Sequence, residues 1–247
     1  MKTFTQFIKE GTDMGAVVNG VPCAVAEFPR KKVSEQFPHW VGKGHEGDTN
    51  DFLDSNDNEE HGGVSGVHES LSVHDQHDEQ DESNVHWYTA NSRQRNEYLY
   101  RSHVQGNPVK AKTSMDETLE KNRLPHDLHV YSGVNWHPGD VSAKHSEGHV
   151  HLPAYTSTST DPEVAHSFAR DHAEAEHGSA DEHHVIHFHL KKGQQGKYVG
   201  HTSEVPNESE YILPRNTTIK VHPKPDVYTH PYNDEKTFVW HAHPVSE

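Results

Sequence analysis

The sequence predicts an α+β fold in which helices come first and strands gather towards the carboxyl end. Three observations predict it. Helix caps and helical periodicity cluster between residues 85 and 125. Period-two alternation dominates after residue 184. Between Gly44 and Ser92 there is no Lys or Arg, and Asp, Glu, His, Ser and Gly prevail. Such a stretch buries too little apolar surface to offset its ordering entropy. Residues 1–83 are therefore expected to be a mostly disordered leader, and residues 84–247 the folded domain.

Each element has its own signal. Val85 to His103 carries Trp87, Tyr88, Leu99 and Tyr100 and reads as a helix. Ser114-Met115-Asp116-Glu117 is a capping-box pattern opening a short helix that ends before Pro125. Leu128 to Tyr131 alternates like a strand, closed by Gly133. Asp161 as cap and Pro162 in the first turn open a helix whose apolar face is Val164, Ala165, Phe168 and Ala169, with Gly178 as its stop. His184 to Leu190 alternates cleanly, and further strands are expected at Tyr211 to Leu213, Thr217 to Val221 and Thr237 to Ala242.

Composition narrows the function. Only 30% of the 247 residues are hydrophobic and the mean hydropathy is −0.98, which suits a modest core rather than one packed through the whole chain. A formal charge of −16 argues against a broad grip on nucleic acid or anionic membrane. One cysteine, Cys23, excludes an internal disulfide. No apolar run is long enough to span a bilayer, and Thr5, Gln6 and Lys9 interrupt any signal-peptide core. The expectation is a soluble protein not exported by a signal peptide.

Three ordered blocks carry chemistry. They are Leu128-His129-Val130-Tyr131-Ser132-Gly133, Tyr155-Thr156-Ser157-Thr158-Ser159, and Asn207-Glu208-Ser209-Glu210-Tyr211-Ile212-Leu213-Pro214-Arg215. Singly, each has a plain explanation: a strand end, a loop before a capped helix, and an acidic pair among 38 acidic residues. On a strand, residues two apart point to the same side, so Glu208 and Glu210 are expected to reach one site together. Two close carboxylates push their pKa values apart, which lets one remain anionic while the other handles a proton.

Together the blocks resemble the arginine-directed (Glu-x-Glu) mono-ADP-ribosyltransferases, including clostridial binary-toxin catalytic domains and the Alt and Mod proteins of T-even bacteriophages. The resemblance runs from about Val85 to His222, through Tyr88-Thr89, Asn96 and Leu99, through Leu124 to Leu128, and most strongly through Glu-Ser-Glu-Tyr-Ile-Leu-Pro-Arg. It implies two packed, mainly antiparallel β-sheets with flanking helices, and NAD as the donor substrate. It implies that Glu210 binds the ribose and stabilises an oxocarbenium-like transition state, that Glu208 orients the acceptor guanidinium, and that Ser157 holds Glu210. It places Tyr131, Gly133, Thr158 and Ser159 about the NAD, with Phe168 on the nicotinamide; plain helix core is the competing reading of Phe168. The loop 201–207 would meet the protein substrate. One departure stands out: the family has arginine after the aromatic of the first block, and this chain has Ser132. Arg170 is the expected compensating cation.

The resemblance further implies transfer of ADP-ribose to a host protein, in transcription or translation, by a phage effector injected from the virion into the host cytoplasm and acting as a monomer. Ile8-Lys9-Glu10 is similar to the sites cut by prohead proteases of such phages. NAD glycohydrolase activity and a degenerate, non-catalytic binding or virion module are the alternatives. The 26 histidines include alternating pairs, His149/His151 and His187/His189, read as solvated strand faces, with no metal site expected.

Overall fold

The computed structural model describes residues 44–55, 57–74, 78–139, 148–177, 181–200 and 202–245. The first elements are β1 (Glu46–Asp48), α1 (Thr49–Leu53), α2 (Gly63–His74), α3 (Glu79–Thr89), α4 (Ser92–Val104) and α5 (Ser114–Lys121). There follow β2 (Leu128–Val134), β3 (His149–Leu152), β4 (Thr156–Ser159) and α6 (Pro162–His177). The chain ends in β5 (Glu182–Leu190), β6 (Lys197–Tyr198), β7 (Glu210–Leu213), β8 (Thr217–Val221), β9 (Asp226–Thr229) and β10 (Lys236–Pro244). The α+β class and its helix-then-strand order are those the sequence predicts.

Hydrogen bonds link the strands in the order β1-β9-β10-β5-β2-β4-β7-β6, with β3 on β8 and β8 on β10. Among the described strands only β1–β9 and β10–β5 pair in parallel. The network folds over on itself: one apolar cluster joins Val130 of β2, Phe188 of β5 and Trp240 of β10 to Val150 of β3, Leu213 of β7 and Ile219 of β8. The two-sheet packing that the resemblance implies is thus built within one continuous ladder. A second cluster packs Val85, Tyr88, Leu99, Met115 and Leu119 of α3–α5 on Tyr155 and Ile212. A third holds Phe52 of α1 and Ala165 and Ala169 of α6 over Tyr131, Val185 and Val239.

The expectation of disorder fails for the described residues between 44 and 83, where β1, α1, α2 and the first turn of α3 lie. Phe52, Val67 and Leu71 are buried there. The acidic residues act locally: Asp48 closes a capping box on α1 and Asp78 caps α3. Two residues one turn apart, Val67 and Leu71, suffice for α2 because a large sheet supplies the opposing surface. Residues 1–43, with Cys23 and Ile8-Lys9-Glu10, lie outside the described residues.

Two boundaries also shift. The single helix expected over 85–103 is two, broken at Ala90-Asn91. The capping box of α5 sits one residue earlier than read: Thr113 Oγ1 accepts from the Asp116 amide at 3.2 Å, and the Asp116 carboxylate accepts from the Thr113 amide at 2.7 Å. The Asp116 carboxylate also takes a fork of bonds from Arg215 at 2.8–3.0 Å, while the same guanidinium donates to the carbonyls of Val109 and Ala111. Burial alone would raise the Asp116 carboxyl; Arg215, the Thr113 amide and the Tyr155 hydroxyl outweigh it and hold it below its ordinary value. That clamp ties the end of the Glu208 to Arg215 block to the helical layer.

Candidate active site

β2, β4 and β7 run side by side, and their register sets Tyr131 beside Ser159 and Ser159 beside Glu210. The turn into α6 is fixed locally. The Asp161 amide donates to Ser159 Oγ at 2.9 Å, and the Glu163 amide donates to Asp161 Oδ1 at 2.9 Å, so Asp161 is the cap the sequence signals. α6 then lies so close on β2 that a Cβ at Gly133 would stand 2.4 Å from the Ala165 carbonyl oxygen and 2.5 Å from the Ala169 nitrogen. Between these elements opens a cleft of about 420 Å³. Its fourth wall comes from the α3–α4 junction (Thr89, Ser92, Arg93) and from the segment Ser203 to Val205.

Glu210 opens β7 and is 6% exposed. Ser203 Oγ donates to its Oε2 at 3.5 Å, and the Ser157 hydroxyl also bonds its carboxyl. Its pKa is pushed up to about 7, first by burial and then by the charge of Glu208, against the lowering effect of the two serine hydroxyls. Glu208 is half-buried, and burial raises its carboxyl too. The two carboxylates share the cleft by a different route from the one expected. Glu208 ends a 3-10 turn (Pro206–Glu208), and Ser209 has φ 47° and ψ 43°, in the left-handed region. The alternation of a strand therefore does not reach Glu208. A kink at Ser209, not the pleat, brings both residues to the cleft.

The other expected site residues separate by what their side chains do. Ser157, Thr158, Ser159, Tyr131, Gly133 and Phe168 all line the cleft. Phe168 is 44% exposed, which removes the plain-core reading. Ser159 Oγ donates to the Glu208 carbonyl at 2.6 Å, so it braces the acidic turn. Thr158 Oγ1 donates to the Tyr211 carbonyl at 2.6 Å, stitching β4 to β7. Tyr131 is buried and its hydroxyl donates to Asp57. Arg170 does not fill its expected role. It lies on the far side of α6, 3.3 Å from Glu235 and 3.9 Å from Glu174, because residue 170 falls off the helical face that carries 164, 165 and 168.

A sequence profile described as the ADP-ribosyltransferase exoenzyme matches residues 66–239. The chain belongs to that family. Over 103 residues it is 32% identical to an NAD(+)–arginine ADP-ribosyltransferase, EFV, of Enterococcus faecalis, a stretch covering 42% of this chain and 19% of the relative. The match thus spans about a fifth of that relative's length. Among solved structures the chain is similar to C3stau2 of S. aureus, crystallised with NAD, at TM-score 0.53 and 17% identity, covering 74% of this chain and 95% of the other. It is also similar to BECa, an ADP-ribosylating toxin of C. perfringens crystallised with NADH, at TM-score 0.52 and 15% identity, covering 77% and 49%. At those identities the likeness shows the fold.

The sequence reading missed Arg93 and Ser203. Ser203 sits inside the polar loop singled out before Glu210, but nothing in its spacing marks it. Arg93 stands just after the unforeseen break between α3 and α4, so a single helix there hides its direction. That junction also grips the loop: the Glu204 amide donates to Thr89 Oγ1 at 3.3 Å, and His86 lies 3.1 Å from the Glu204 carboxylate. His187 and His189 overturn the expectation of a solvated face, since each is 4% exposed. His149 and His151 are half-buried on β3.

Proposed function

We propose that this chain transfers ADP-ribose from NAD to arginine side chains of a protein. The observation that carries the reading is Glu210, a buried carboxylate at the head of β7 held by Ser157 and Ser203, with Glu208 beside it in an open cleft. The cleft fits NAD: it offers one buried carboxylate for a ribose, the partly exposed ring of Phe168 for a flat heterocycle, and the exposed guanidinium of Arg93 for phosphate.

Cleavage of the nicotinamide–ribose bond develops positive charge on the sugar, and Glu210 as carboxylate stabilises it where little water competes. Glu208, nearer solvent, orients the incoming guanidinium and accepts its proton. Ser157 and Ser203 keep Glu210 in place. The charged form must be populated for this, so the rate should rise with pH through about 7.

The finer reading is a phage effector of host takeover, packaged in the virion, injected into the host cytoplasm, and acting as a monomer on a transcription or translation protein. It is supported by the likeness of Glu208 to Arg215 to phage enzymes and by Ile8-Lys9-Glu10. A chain cut after Glu10 in purified virions is the expected observation. A non-catalytic binding role has one observation in its favour: Ser132 replaces the family arginine, and its hydroxyl is spent on the Ser157 carbonyl at 3.0 Å.

Labelled NAD incubated with host lysate separates the readings. Labelled protein bands support transfer, free ADP-ribose alone means glycohydrolase, and neither means a binding module. Glu210→Gln should lower both transfer and hydrolysis about a hundredfold or more. Glu208→Gln should abolish transfer and leave appreciable hydrolysis, because water needs less activation once the cation has formed. Equal losses in both variants would sink this division of labour.

A further inference from the structure

We infer that His129, His187 and His189 form a binding site for a first-row divalent metal ion, zinc by ligand type, on the sheet face one ring away from the cleft. Register builds the site. Across β2, β5 and β10, His129 pairs with His189, Tyr131 with His187, and His187 with His241. Four imidazoles from three strands thus meet on one face. Ring centroids are 5.1 Å apart for His129–His187, 4.9 Å for His129–His189 and 4.3 Å for His187–His189. One ring nitrogen from each of these three lies within 4.8 Å of the other two.

A hydrogen bond already joins two of the rings, and an ion between them would take the place of its proton. His129 Nδ1 and His187 Nε2 face each other at 2.9 Å. Two nitrogens bound at about 2.0–2.1 Å to a tetrahedral zinc stand about 3.3 Å apart, so the pair needs to open by only a few tenths of an ångström. The tautomer of His189 follows from its neighbours. The Asp226 carboxylate, which only accepts, receives a hydrogen bond from His241 Nε2 at 3.0 Å. With His241 neutral, its Nδ1 accepts from His189 Nε2 at 2.8 Å, which makes His189 Nδ1 the lone-pair nitrogen. A ligand histidine whose other nitrogen leads to a buried carboxylate is how protein metal sites orient their ligands.

His187 and His189 are each 4% exposed and His129 is half-buried, so the three imidazoles stand where bulk water competes little for an ion. Asp57, its side chain 37% exposed and 3.7 Å from His187 Nε2, supplies negative charge and marks the solvent entrance. An all-imidazole set with a carboxylate selects zinc and its neighbours over magnesium, which prefers oxygen ligands. Such an ion would cross-link β2, β5 and the Asp57 segment beneath Tyr131, whose ring is 4.5 Å from His187.

The test uses the full chain, stripped with a chelator and titrated with Zn²⁺ against a chromophoric competitor. Co²⁺ absorption reports coordination. One tight equivalent, a tetrahedral Co²⁺ spectrum and a raised Tm are expected, with no such response to Mg²⁺. His187→Gln or His189→Gln should cost more than the ten- to hundredfold expected for Asp226→Asn, which acts through His241. The His149→Gln/His151→Gln double variant should keep the tight equivalent. If the buried variants melt abnormally, His129→Gln at the half-buried edge decides. Unchanged zinc affinity in folded His129, His187 or His189 variants, or zinc bound no better than magnesium, overturns the site.

Discussion

At Glu210 the same burial that suits the carboxylate to its chemistry also opposes folding. Its folded pKa of about 7 lies above the ordinary 4.5, so the folded state holds the proton more tightly than the unfolded chain does. The stabilising contribution is therefore full below about pH 4.5, declines as pH rises, and is lost once pH passes 7. Glu210→Gln removes the ionising group. The variant should be more stable than the wild type at pH 8, by on the order of 3 kcal/mol, and should lose that advantage at pH 4. Thermal melts at the two pH values, wild type against variant, measure this. An advantage independent of pH would assign it to packing instead. The choice of cation belongs to the same scale. Arg93 faces the cleft while Arg170 is engaged with Glu235 and Glu174, so Arg93→Ala should raise the KM for NAD about tenfold and Arg170→Ala should leave it near the wild-type value. The reverse ranking would return the compensating role to Arg170.

Among the elements, those with strong local signals were legible: α6 from its cap and apolar face, and β5 from its alternation. The site was legible as three blocks in order, but its geometry was not. Glu208 reaches the cleft through the left-handed Ser209, and a left-handed serine leaves no periodic trace in sequence. His187 and His189 read as polar because alternation reports which residues share a face and says nothing of what covers it. Gly133 shows the same limit. In the sequence it closes a strand; in the structure it lets α6 seat directly on β2, against Ala165 and Ala169. Gly133→Ala should therefore destabilise the fold by about 1–3 kcal/mol, since helix backbone and not a flexible side chain must give way. Because α6 also carries Phe168, activity should fall at temperatures where the variant is still folded. Denaturant unfolding with a parallel activity assay checks both, and wild-type stability would mean that α6 can shift without cost.

On the scale of the whole molecule, the leader expected up to residue 83 takes part in the fold from residue 44. Averaged composition hid this: the charges and histidines of 44–83 outweigh a few apolar residues, yet those few are placed where they count. Val67 and Leu71 join the cluster of Val130, Phe188 and Trp240, and Phe52 covers Tyr131 beside Ala165 and Val185. Polar contacts add to this. Asn58 exchanges two hydrogen bonds at 3.0 Å with the backbone of His129, and Asp57 takes the Tyr131 hydroxyl. Buried Asp81 receives Thr118 Oγ1 at 2.8 Å and Lys121 Nζ at 3.1 Å, holding α3 to α5. Removing residues 1–83 would expose Tyr131 and part of the main core, take the cap and the whole first turn from α3, and forfeit about 1.5–3 kcal/mol for each buried apolar side chain lost. Three such side chains amount to a large part of the roughly 5–15 kcal/mol by which a domain is stable. A chain beginning at residue 84 should therefore unfold without cooperativity or melt far below the full chain, and Phe52→Ala in the full chain should cost about 3–5 kcal/mol. Phe52→Ala separates the two causes of failure, because it leaves the length intact. If the chain from residue 84 melts as the full chain does, the 44–83 segment is only laid upon the domain and Phe52→Ala should be silent; if both variants fall together, the segment is part of the core that supports the cleft.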